Sequence, residues 1–385
     1  MEKINLEKEL CTACSACVSI CPKKCIHMIR DNDGFNYPQI DSLNCIDCHM
    51  CEKVCPIINK VHLNNLEKAY SIKNKNENIR LSSTSGGVFS LLAEKIIEKK
   101  GYVVGASYDD EFYVKHIIID NMFDISKLRV AKYSQSDLGD TFIKVKRLLD
   151  KGHFILFSGT PCQCEGLKSF LQKDFNNLIT VDLICHGVPS PKVWRSYVQY
   201  RANKENNNVL PLVYATSNSY DNYSTEFDYG GGKKTYIHNK HDLFMKLFTK
   251  NICLRSSCSN CIAKGAKRCS DFTLGDFWGI WNQHFEFDDN KGISAVLVHS
   301  EKGQQLLLKI TSDIELIEVD LEDVYKENQS LLISSKKDIS REIFLNSINE
   351  KNFEEIANKY LKVSQENKNV SFFMNIINKL MNLVK

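Results

Sequence analysis

The first 62 residues carry the same cysteine pattern twice, and this feature restricts the fold more strongly than anything else in the sequence. Each copy has the spacing C-x2-C-x2-C-x3-C-P. The eight cysteines are Cys11, Cys14, Cys17, Cys21, Cys45, Cys48, Cys51 and Cys55. Bacterial ferredoxins hold [4Fe–4S] clusters with this run. Because a module of this size buries little apolar core, we expect the clusters themselves to hold residues 1–62 together as a dicluster domain.

The spacing also predicts which cysteines share a cluster. Three thiolates on one tight loop can bind three irons of a cubane, whereas the fourth lies across the x3 spacer and binds the other cluster. The predicted ligand sets are Cys11, Cys14 and Cys17 with Cys55, and Cys45, Cys48 and Cys51 with Cys21. A pair of zinc sites is the alternative, but zinc is typically held by two C-x2-C halves, so the pattern favours iron–sulfur clusters. Cys25 is not required and is interpreted as a surface or packing residue.

The composition of the whole chain excludes several classes of protein. The 385 residues are 43% hydrophobic and 25% charged with a net charge of +3, which is ordinary for two or three globular domains. This balance gives no electrostatic reason to expect nucleic acid or an anionic membrane as a partner. Neither a membrane-spanning apolar run nor a secretory signal is recognisable, so a cytoplasmic location is expected. In a reducing compartment, clustered cysteines bind metal more often than they form disulfides.

Secondary-structure patterns divide the remainder of the chain. A polar linker is expected over residues 63–80. Helical and strand-like patterns then alternate, which predicts an α/β sheet with parallel pairs in a domain covering residues 81–300. Residues 301–385 are interpreted as a mainly helical extension, whose amphipathic tail NVSFFMNIINKLMNLVK is expected to dock on its own domain. The predicted fold class is α+β or α/β, with a dicluster ferredoxin domain before a larger mixed α/β domain.

Seven further cysteines lie in the large domain. They are Cys162, Cys164, Cys185, Cys253, Cys258, Cys261 and Cys269. Cys162 and Cys185 each follow a predicted strand, and binding sites in open α/β sheets gather at the carboxyl ends of the strands. Cys253, Cys258 and Cys261 share one loop. These residues could close a third [4Fe–4S] site from separate parts of the chain, bind zinc, or be unrelated buried thiols.

Six ordered motifs behind the dicluster pattern resemble a known family. The motifs are TSGGVF, KYSQSDLGDTF, FSGTPCQ, DLICHGVPSPKVW, LRSSCSNC and SDFTLGDFWGI. The series is similar to the family of coenzyme F420 hydrogenase/dehydrogenase beta subunits, in its bacterial form with a fused N-terminal ferredoxin domain, over residues 1 to about 300. The resemblance implies an iron–sulfur flavoprotein that binds FAD and passes electrons between clusters and a two-electron acceptor, which is a deazaflavin in archaeal members.

The resemblance also implies a ligand set for the third cluster. The implied ligands are Cys162, Cys185, Cys258 and Cys261, with Cys253 as the rival for one of the four places. The two other cysteines of the large domain are interpreted as spare thiols. A third [4Fe–4S] cluster and FAD therefore join the two N-terminal clusters in the expected set of cofactors.

The candidate flavin-binding residues lie mainly in two turns of small residues. Thr84, Ser85, Gly86 and Gly87 precede a helical run, where free backbone N–H groups and the positive helix end suit a pyrophosphate. A plain helix N-cap with glycines for packing is the alternative, and the resemblance favours FAD. The second turn and the remaining candidates are Ser158, Gly159, Thr160, Gln135, Ser136 and Asp276. Because no G-x-G-x-x-G motif opens a βαβ unit, the FAD assignment depends on the resemblance.

These observations predict a redox relay. An electron-donor or acceptor protein would exchange electrons with the dicluster domain, and a third cluster and FAD would carry them to a small-molecule two-electron substrate. The sequence names neither that substrate nor a catalytic acid or base. The alternative is a non-catalytic electron-transfer or adaptor subunit without flavin, which feeds electrons to a partner enzyme.

Overall fold

The computed structural model describes residue 4 and residues 6–64, 68–206, 211–217, 223–349 and 351–363. The amphipathic tail at residues 369–385, which was expected to be a docked helix, lies outside the described residues. Within the described part of the chain, no helix is long and apolar enough to cross a membrane.

The N-terminal module builds one small unit around each cysteine run. Its elements are α1 (Ala16–Ile20), β1 (Ile26–Arg30), β2 (Asn36–Ile40) and α2 (Met50–Lys53). Left-handed residues recur at equal positions of the two runs, Ala13 and Ser15 in the first and Asp47 and His49 in the second, with φ between 50° and 63°. Side chains other than glycine rarely adopt this conformation, so the recurrence shows that both runs take the same tight loop shape.

A single mixed sheet forms the centre of the large domain. The strands after the N-terminal module are β3 (Lys68–Asn74), β4 (Tyr102–Tyr108), β5 (Val114–Ile119), β6 (Ile155–Ser158), β7 (Leu178–Leu183), β8 (Leu212–Ser217), β9 (Tyr223–Asp228), β10 (Lys234–His238), β11 (Phe272–Asp276), β12 (Ser294–Val298) and β13 (Ile314–Val319). Eight of them make the large sheet in the order β13-β3-β12-β11-β7-β6-β4-β5, and β8 to β10 form a separate antiparallel sheet.

The carboxyl ends of five strands meet at one edge of the large sheet. β4, β6, β7 and β11 are parallel to their neighbours in this series. β12 is antiparallel to both β11 and β3, so β3 runs in the same direction as β11. Ligands in open α/β sheets bind outside this edge. The segments that follow these strands therefore decide what the large domain can bind.

Helices cover both faces of the large sheet. The helices of the large domain are α3 (Glu77–Leu81), α4 (Val88–Ile97), α5 (Ile125–Leu128), α6 (Thr141–Asp150), α7 (Pro161–Leu171), α8 (Pro191–Lys204), α9 (Leu243–Thr249), α10 (Ile280–Gln283), α11 (Glu301–Leu308), α12 (Leu321–Glu327) and α13 (Arg341–Ser347). Of these, α8, α9 and α13 pack in a core with the small antiparallel sheet. Val103 of β4 packs in one core with α4, whereas the adjacent Val104 packs in another with α6 and α7. Successive strand residues point to opposite faces, so the sheet is buried on both sides.

The segment expected to be a linker contributes a strand instead. β3 occupies residues 68–74 and pairs with β12 and with β13, which belongs to the expected helical extension. The sheet therefore extends beyond residues 81–300 in both directions along the sequence. Polar residues obscured the strand pattern of β3 in the sequence. Asn74 shows how a polar residue can be accommodated in this strand. Its buried side chain accepts a hydrogen bond from the Asn76 N–H and donates one to the Gly87 carbonyl, so no polar atom is left for solvent.

The N-terminal module packs directly against the large domain. A Cβ added to Gly166 of α7 would lie 2.6 Å from the Cβ of Cys14, so glycine allows the Cys14 loop to approach this helix closely. Ser169, less than one turn further along α7, donates a hydrogen bond to the Val54 carbonyl at 2.8 Å. The module therefore lies on the helix whose first turn contains Cys162.

Candidate functional site

Each predicted ligand set of the N-terminal module surrounds a cavity. The cysteines that line the first cavity are Cys11, Cys14, Cys17, Cys51 and Cys55. Those that line the second are Cys21, Cys25, Cys45, Cys48 and Cys51. The structure thus brings Cys55 to the first run and Cys21 to the second. Cys25, interpreted from the sequence as a surface or packing residue, lines the second cavity with its Sγ 3.5 Å from the Sγ of Cys21.

Burial and backbone amides act in opposite directions on these thiols. Burial raises the pKa of Cys14 to about 12, and a hydrogen bond from the Ala16 N–H opposes that rise. The pKa of Cys55 is also raised by burial, against hydrogen bonds from the N–H groups of Ile58 and Ile57. A coordinating thiol is deprotonated by its metal, and N–H groups directed at the sulfur stabilise the resulting charge. The two loops therefore fit thiolate ligands of clusters.

Four cysteines from three separate segments line one cavity in the large domain, called the third cavity below. They are Cys162, Cys185, Cys258 and Cys261. Cys162 is the second residue of α7, and Cys185 follows the end of β7 by two residues. Cys258 and Cys261 belong to a 3₁₀ turn over residues 256–260 and to its C-terminal cap. The carboxyl edge of the sheet brings the first two segments together, and the 3₁₀ turn closes the cavity.

The other three cysteines of the large domain are buried elsewhere. Cys253 packs in the core around α8 and α9, and Cys164 and Cys269 pack in the core beneath α7. None of these three residues lines the third cavity. Burial raises the pKa of Cys253 to about 12, so its thiol is neutral at neutral pH. This placement favours the ligand set without Cys253.

Positive charge and a hydrogen-bond donor surround the third cavity. Lys264 and Arg268 line it, and the charge of Lys264 lowers the pKa of Cys185 against the larger rise that burial causes. The Val188 N–H donates to the Sγ of Cys258 at 3.4 Å. Four thiolates around a cubane carry net negative charge, which such groups stabilise, so the donor set fits a [4Fe–4S] cluster. Among the described residues, no group of three or more His, Cys, Asp or Glu side chains converges as one metal ion requires.

The first candidate flavin turn begins α4 beside the end of β3. Gly87 is the N-cap of α4 with a φ of 77°, and no side chain caps the helix. A Cβ added to Gly86 would lie 2.2 Å from the Ile72 carbonyl oxygen, and the Gly86 N–H donates to the Ser294 Oγ. Close packing on the sheet therefore requires Gly86, as the N-cap alternative predicts. The uncapped N-terminus of α4 still provides the positive helix end on which the flavin hypothesis depends.

Asp276 lies beside this turn at the end of β11. The Ser85 hydroxyl donates a hydrogen bond to its carboxyl group, and burial raises the pKa of Asp276 to about 6. The Thr84 carbonyl accepts a hydrogen bond from the Tyr223 hydroxyl at 2.9 Å. The structure thus brings Thr84, Ser85 and Asp276 together where β3 and β11 end.

A buried histidine that the sequence interpretation missed organises the second turn. His116 of β5 places its Nε2 3.0 Å from the Ser158 carbonyl oxygen and its Nδ1 2.7 Å from the Ser136 Oγ. Burial lowers the pKa of His116 to about 4, so the ring is neutral at neutral pH. Because a carbonyl only accepts, Nε2 carries the proton and Ser136 donates to Nδ1. The alternation along VKHIIID, which buries Val114 and His116, was the signal that could have found it.

The remaining flavin candidates have partners within the protein. The Gln135 Nε2 donates to the Thr12 carbonyl at 3.2 Å, and its Oε1 accepts from Arg255. Thr160 forms a capping box at the start of α7. The Gly159 N–H donates to a carbonyl of β7 at 3.1 Å. These contacts give Gln135, Gly159 and Thr160 structural roles beside the third cavity.

The strand order places the third cavity between the two candidate flavin turns. Along the carboxyl edge, the turn before α4 and Asp276 come first, at β3 and β11. Cys185 follows β7, and Ser158 ends β6 just before Cys162. A ligand that extended along this edge from one turn to the other would pass the third cavity.

Two parts of the chain match described protein families. Residues 153–324 match the C terminus of the coenzyme F420 hydrogenase/dehydrogenase beta subunit. Residues 10–57 match the 4Fe-4S dicluster domain. The first match contains all four cysteines of the third cavity, and the second contains all eight cysteines of the two N-terminal runs.

Individual relatives match over shorter parts. The chain is 24% identical over 195 residues to a subunit of the F(420)H(2) dehydrogenase of Methanosarcina mazei, covering 47% of this chain and 54% of that protein. It is 44% identical over 43 residues to the Ferredoxin 7Fe of Hydrogenibacillus schlegelii, covering 11% of this chain and 49% of that protein. The chain thus spans about half the length of these curated relatives.

A solved structure gives a third comparison. A chain in the xenon-derivatised F420-reducing [NiFe] hydrogenase complex from Methanosarcina barkeri is similar with a TM-score of 0.46 and 15% identity, over 79% of this chain and 92% of that chain. Four of the six ordered motifs lie within residues 153–324, and TSGGVF and KYSQSDLGDTF precede that match. The chain therefore carries the C-terminal domain of coenzyme F420 hydrogenase/dehydrogenase beta subunits at residues 153–324 and a 4Fe–4S dicluster domain at residues 10–57.

Proposed function

We propose that this protein is an iron–sulfur flavoprotein oxidoreductase that relays electrons between its dicluster domain and a two-electron acceptor. The observation that carries the proposal is the third cavity, where four cysteines meet from three separate segments. Thr12 of the dicluster domain lines the same cavity. A third [4Fe–4S] cluster held there would adjoin the dicluster domain on one side and the candidate flavin turns on the other.

The proposed ligand sets follow the three cavities. For the dicluster domain they are the crossed sets, because Cys55 lines the cavity of the first run and Cys21 lines the cavity of the second. For the third cluster they are the four cysteines of the third cavity. Lys264, which contacts the Cys185 carbonyl, would offset part of the negative charge of that cluster.

The proposed FAD site lies along the carboxyl edge between the two candidate turns. When bound, FAD supplies the conversion between one-electron and two-electron transfer. The uncapped start of α4 would bind a phosphate through its backbone N–H groups. The carboxyl group of Asp276, whose pKa is raised to about 6, would hold or release a proton at its oxygen atoms near neutral pH.

We also propose that the protein works with a partner. The relative from Methanosarcina mazei is named as a subunit of an F(420)H(2) dehydrogenase. By analogy, this chain would exchange single electrons with a partner protein through the dicluster domain and pass pairs of electrons to a deazaflavin or another small molecule.

Cofactor content tests the proposal directly. Iron, sulfide and flavin are measured per chain after purification without oxygen. We expect about twelve irons with matching sulfide, and about one FAD, because three cubanes hold four irons each. About eight irons without flavin would contradict both the third cluster and the flavin site.

The second candidate function is an electron-transfer adaptor that lacks flavin. One observation favours it: several candidate flavin residues already bind protein groups, such as Gln135 with Thr12 and Gly86 with Ser294. Adaptor and flavoprotein differ in one measurement. About twelve irons together with a flavin content near zero would support the adaptor, and stoichiometric FAD would contradict it.

A further inference from the structure

Arg255 connects the backbone segments that carry the third-cavity cysteines. It lies three residues before Cys258 and is only 1% exposed. Its N–H donates to the Val188 carbonyl, in the segment after Cys185, and its carbonyl accepts from the Cys258 N–H at 3.0 Å. The residue is therefore held firmly by the segments around the third cavity, independently of its side chain.

The side chain of Arg255 extends from there into the dicluster domain. Its Nε donates to the Cys11 carbonyl at 2.8 Å and its Nη2 to the Asn36 carbonyl at 3.1 Å. The guanidinium carbon lies 4.1 Å from the ring centre of Tyr37. Two hydrogen bonds and a stacked ring thus hold the planar guanidinium between the Cys11 loop and β2 of the dicluster domain.

Gln135 adds an indirect contact to the same loop. The Arg255 Nη1 donates to the Gln135 Oε1 at 2.8 Å, and the Gln135 Nε2 donates to the Thr12 carbonyl. Thr12 itself lines the third cavity. All the acceptors of the guanidinium named here are neutral carbonyl oxygens, so they leave its positive charge uncompensated between the Cys11 loop and the third cavity.

We infer that Arg255 is a positioning residue, which holds the Cys11 loop of the dicluster domain against the third cavity and stabilises added negative charge on both sides. The inference rests on the proposed third cluster. One electron leaves the reduced first cluster and one electron enters the third, with no bond broken and no proton moved. The reductant is a one-electron donor such as dithionite. Arg255 keeps the distance between the Cys11 loop and the third cavity short. Its positive charge favours the reduced form of each adjoining cluster.

Other contacts keep the dicluster domain attached when Arg255 is replaced. Ser169 binds the Val54 carbonyl, and Lys192 donates to the Asn32 carbonyl at 3.3 Å. Loss of Arg255 should therefore loosen one loop rather than detach the domain. The variants Arg255→Gln and Arg255→Lys separate charge from geometry, because lysine keeps the charge but loses the planar fork. Arg201→Lys is the matched control, since Arg201 is also buried and lies over an aromatic ring, that of Phe227, but lines none of the three cysteine cavities.

The experiment uses the full chain, purified without oxygen, with three measurements. Iron content is expected to stay at the wild-type value in all variants. Hydrogen exchange at residues 11–17 is expected to become faster by about tenfold or more in R255Q and R255K, because each charge-assisted hydrogen bond is worth at least that factor. Potentiometric EPR should show more negative potentials for the first and third clusters in R255Q, near-wild-type potentials in R255K, and an unchanged potential for the cluster of the second run.

Each outcome decides a different point. Twelve irons in the wild type with unchanged exchange and potentials in R255Q would overturn the inference and leave the proposed function intact. Eight irons in the wild type would overturn the proposed third cluster, while the exchange at residues 11–17 would still decide the positioning role. If R255Q does not fold, hydrogen exchange at residues 11–17 in R255K decides whether Arg255 positions the Cys11 loop. R201K should match the wild type in iron content, hydrogen exchange and cluster potentials.

Discussion

The dicluster domain and the third cavity hold the same number of cysteines per site but are built in opposite ways. In the dicluster domain, three ligands of each set lie within seven consecutive residues, and left-handed loops turn them toward one cavity. In the third cavity, Cys162, Cys185 and the Cys258 loop are far apart in sequence and are assembled by the sheet edge. We therefore expect the first kind of site to depend on its metal for folding and the second to depend on a fold that exists without metal.

The largest expected effect comes from iron removal. Anaerobic treatment with an iron chelator should unfold residues 6–64, because a module of this size buries little apolar core of its own, while the large sheet stays folded. Hydrogen exchange should show complete loss of protection in the module and retained protection in β6 and β7. Protection retained in the module after iron loss would show that its apolar contacts are enough to keep it folded. The two kinds of site would then not differ in their dependence on metal.

The second-largest expected effect distinguishes the cysteines of the third cavity from Cys253. Cys185→Ser should lower iron content from about twelve to about eight per chain, because it removes a ligand of one cubane. Cys253→Ser is the matched control and should retain about twelve irons, since Cys253 packs in a different core. The reverse result, with iron lost in C253S and retained in C185S, would show that Cys253 is a ligand.

The third effect concerns the contact between the two regions. Gly166→Ala places a methyl group 2.6 Å from the Cβ of Cys14 and should weaken docking of the dicluster domain by about 1–3 kcal/mol. Hydrogen exchange around residues 11–17 measures this loss. Gly105→Ala is the control, because its Cβ would meet Leu128 at 3.5 Å, an ordinary contact. Equal exchange in G166A and the wild type would mean that the helix and loop can separate without cost.

The smallest effect is an acid sensitivity of the large sheet. His116 has a folded pKa lowered by burial to about 4, below its ordinary value of about 6.5, so the unfolded chain binds the extra proton first. Stability should therefore fall as the pH falls, by about 1 kcal/mol from this group between pH 7 and pH 5.5. Urea unfolding followed by tryptophan fluorescence at both pH values measures it. His116→Gln should show a smaller difference between the two pH values than the wild type, and an equal difference would assign the sensitivity to other groups.

Sequence patterns were most informative where the predicted ligands are close together along the chain. Cys11 to Cys17 and Cys45 to Cys51 indicate two clusters through spacing alone, and residues 10–57 match a dicluster domain. The patterns were less informative where partners are distant. β3 was interpreted as a linker because its polar residues suggested solvent, yet the strand pairs with β12 and the side chain of Asn74 forms hydrogen bonds within the fold. His116 was overlooked because its partners, Ser136 and Ser158, lie 20 and 42 residues away.

The sequence by itself determined the dicluster domain, the match of residues 153–324 to a described domain, and the alternation of strands and helices, because each of these depends on neighbours along the chain. Only the tertiary structure decided which distant residues meet. Its sheet order places Cys162 and Cys185 at one edge, leaves Cys253 in another core, and directs Arg255 into the dicluster domain. The physical reason is that local spacing sets the shape of a loop, whereas strand pairing and helix packing set the distance between loops.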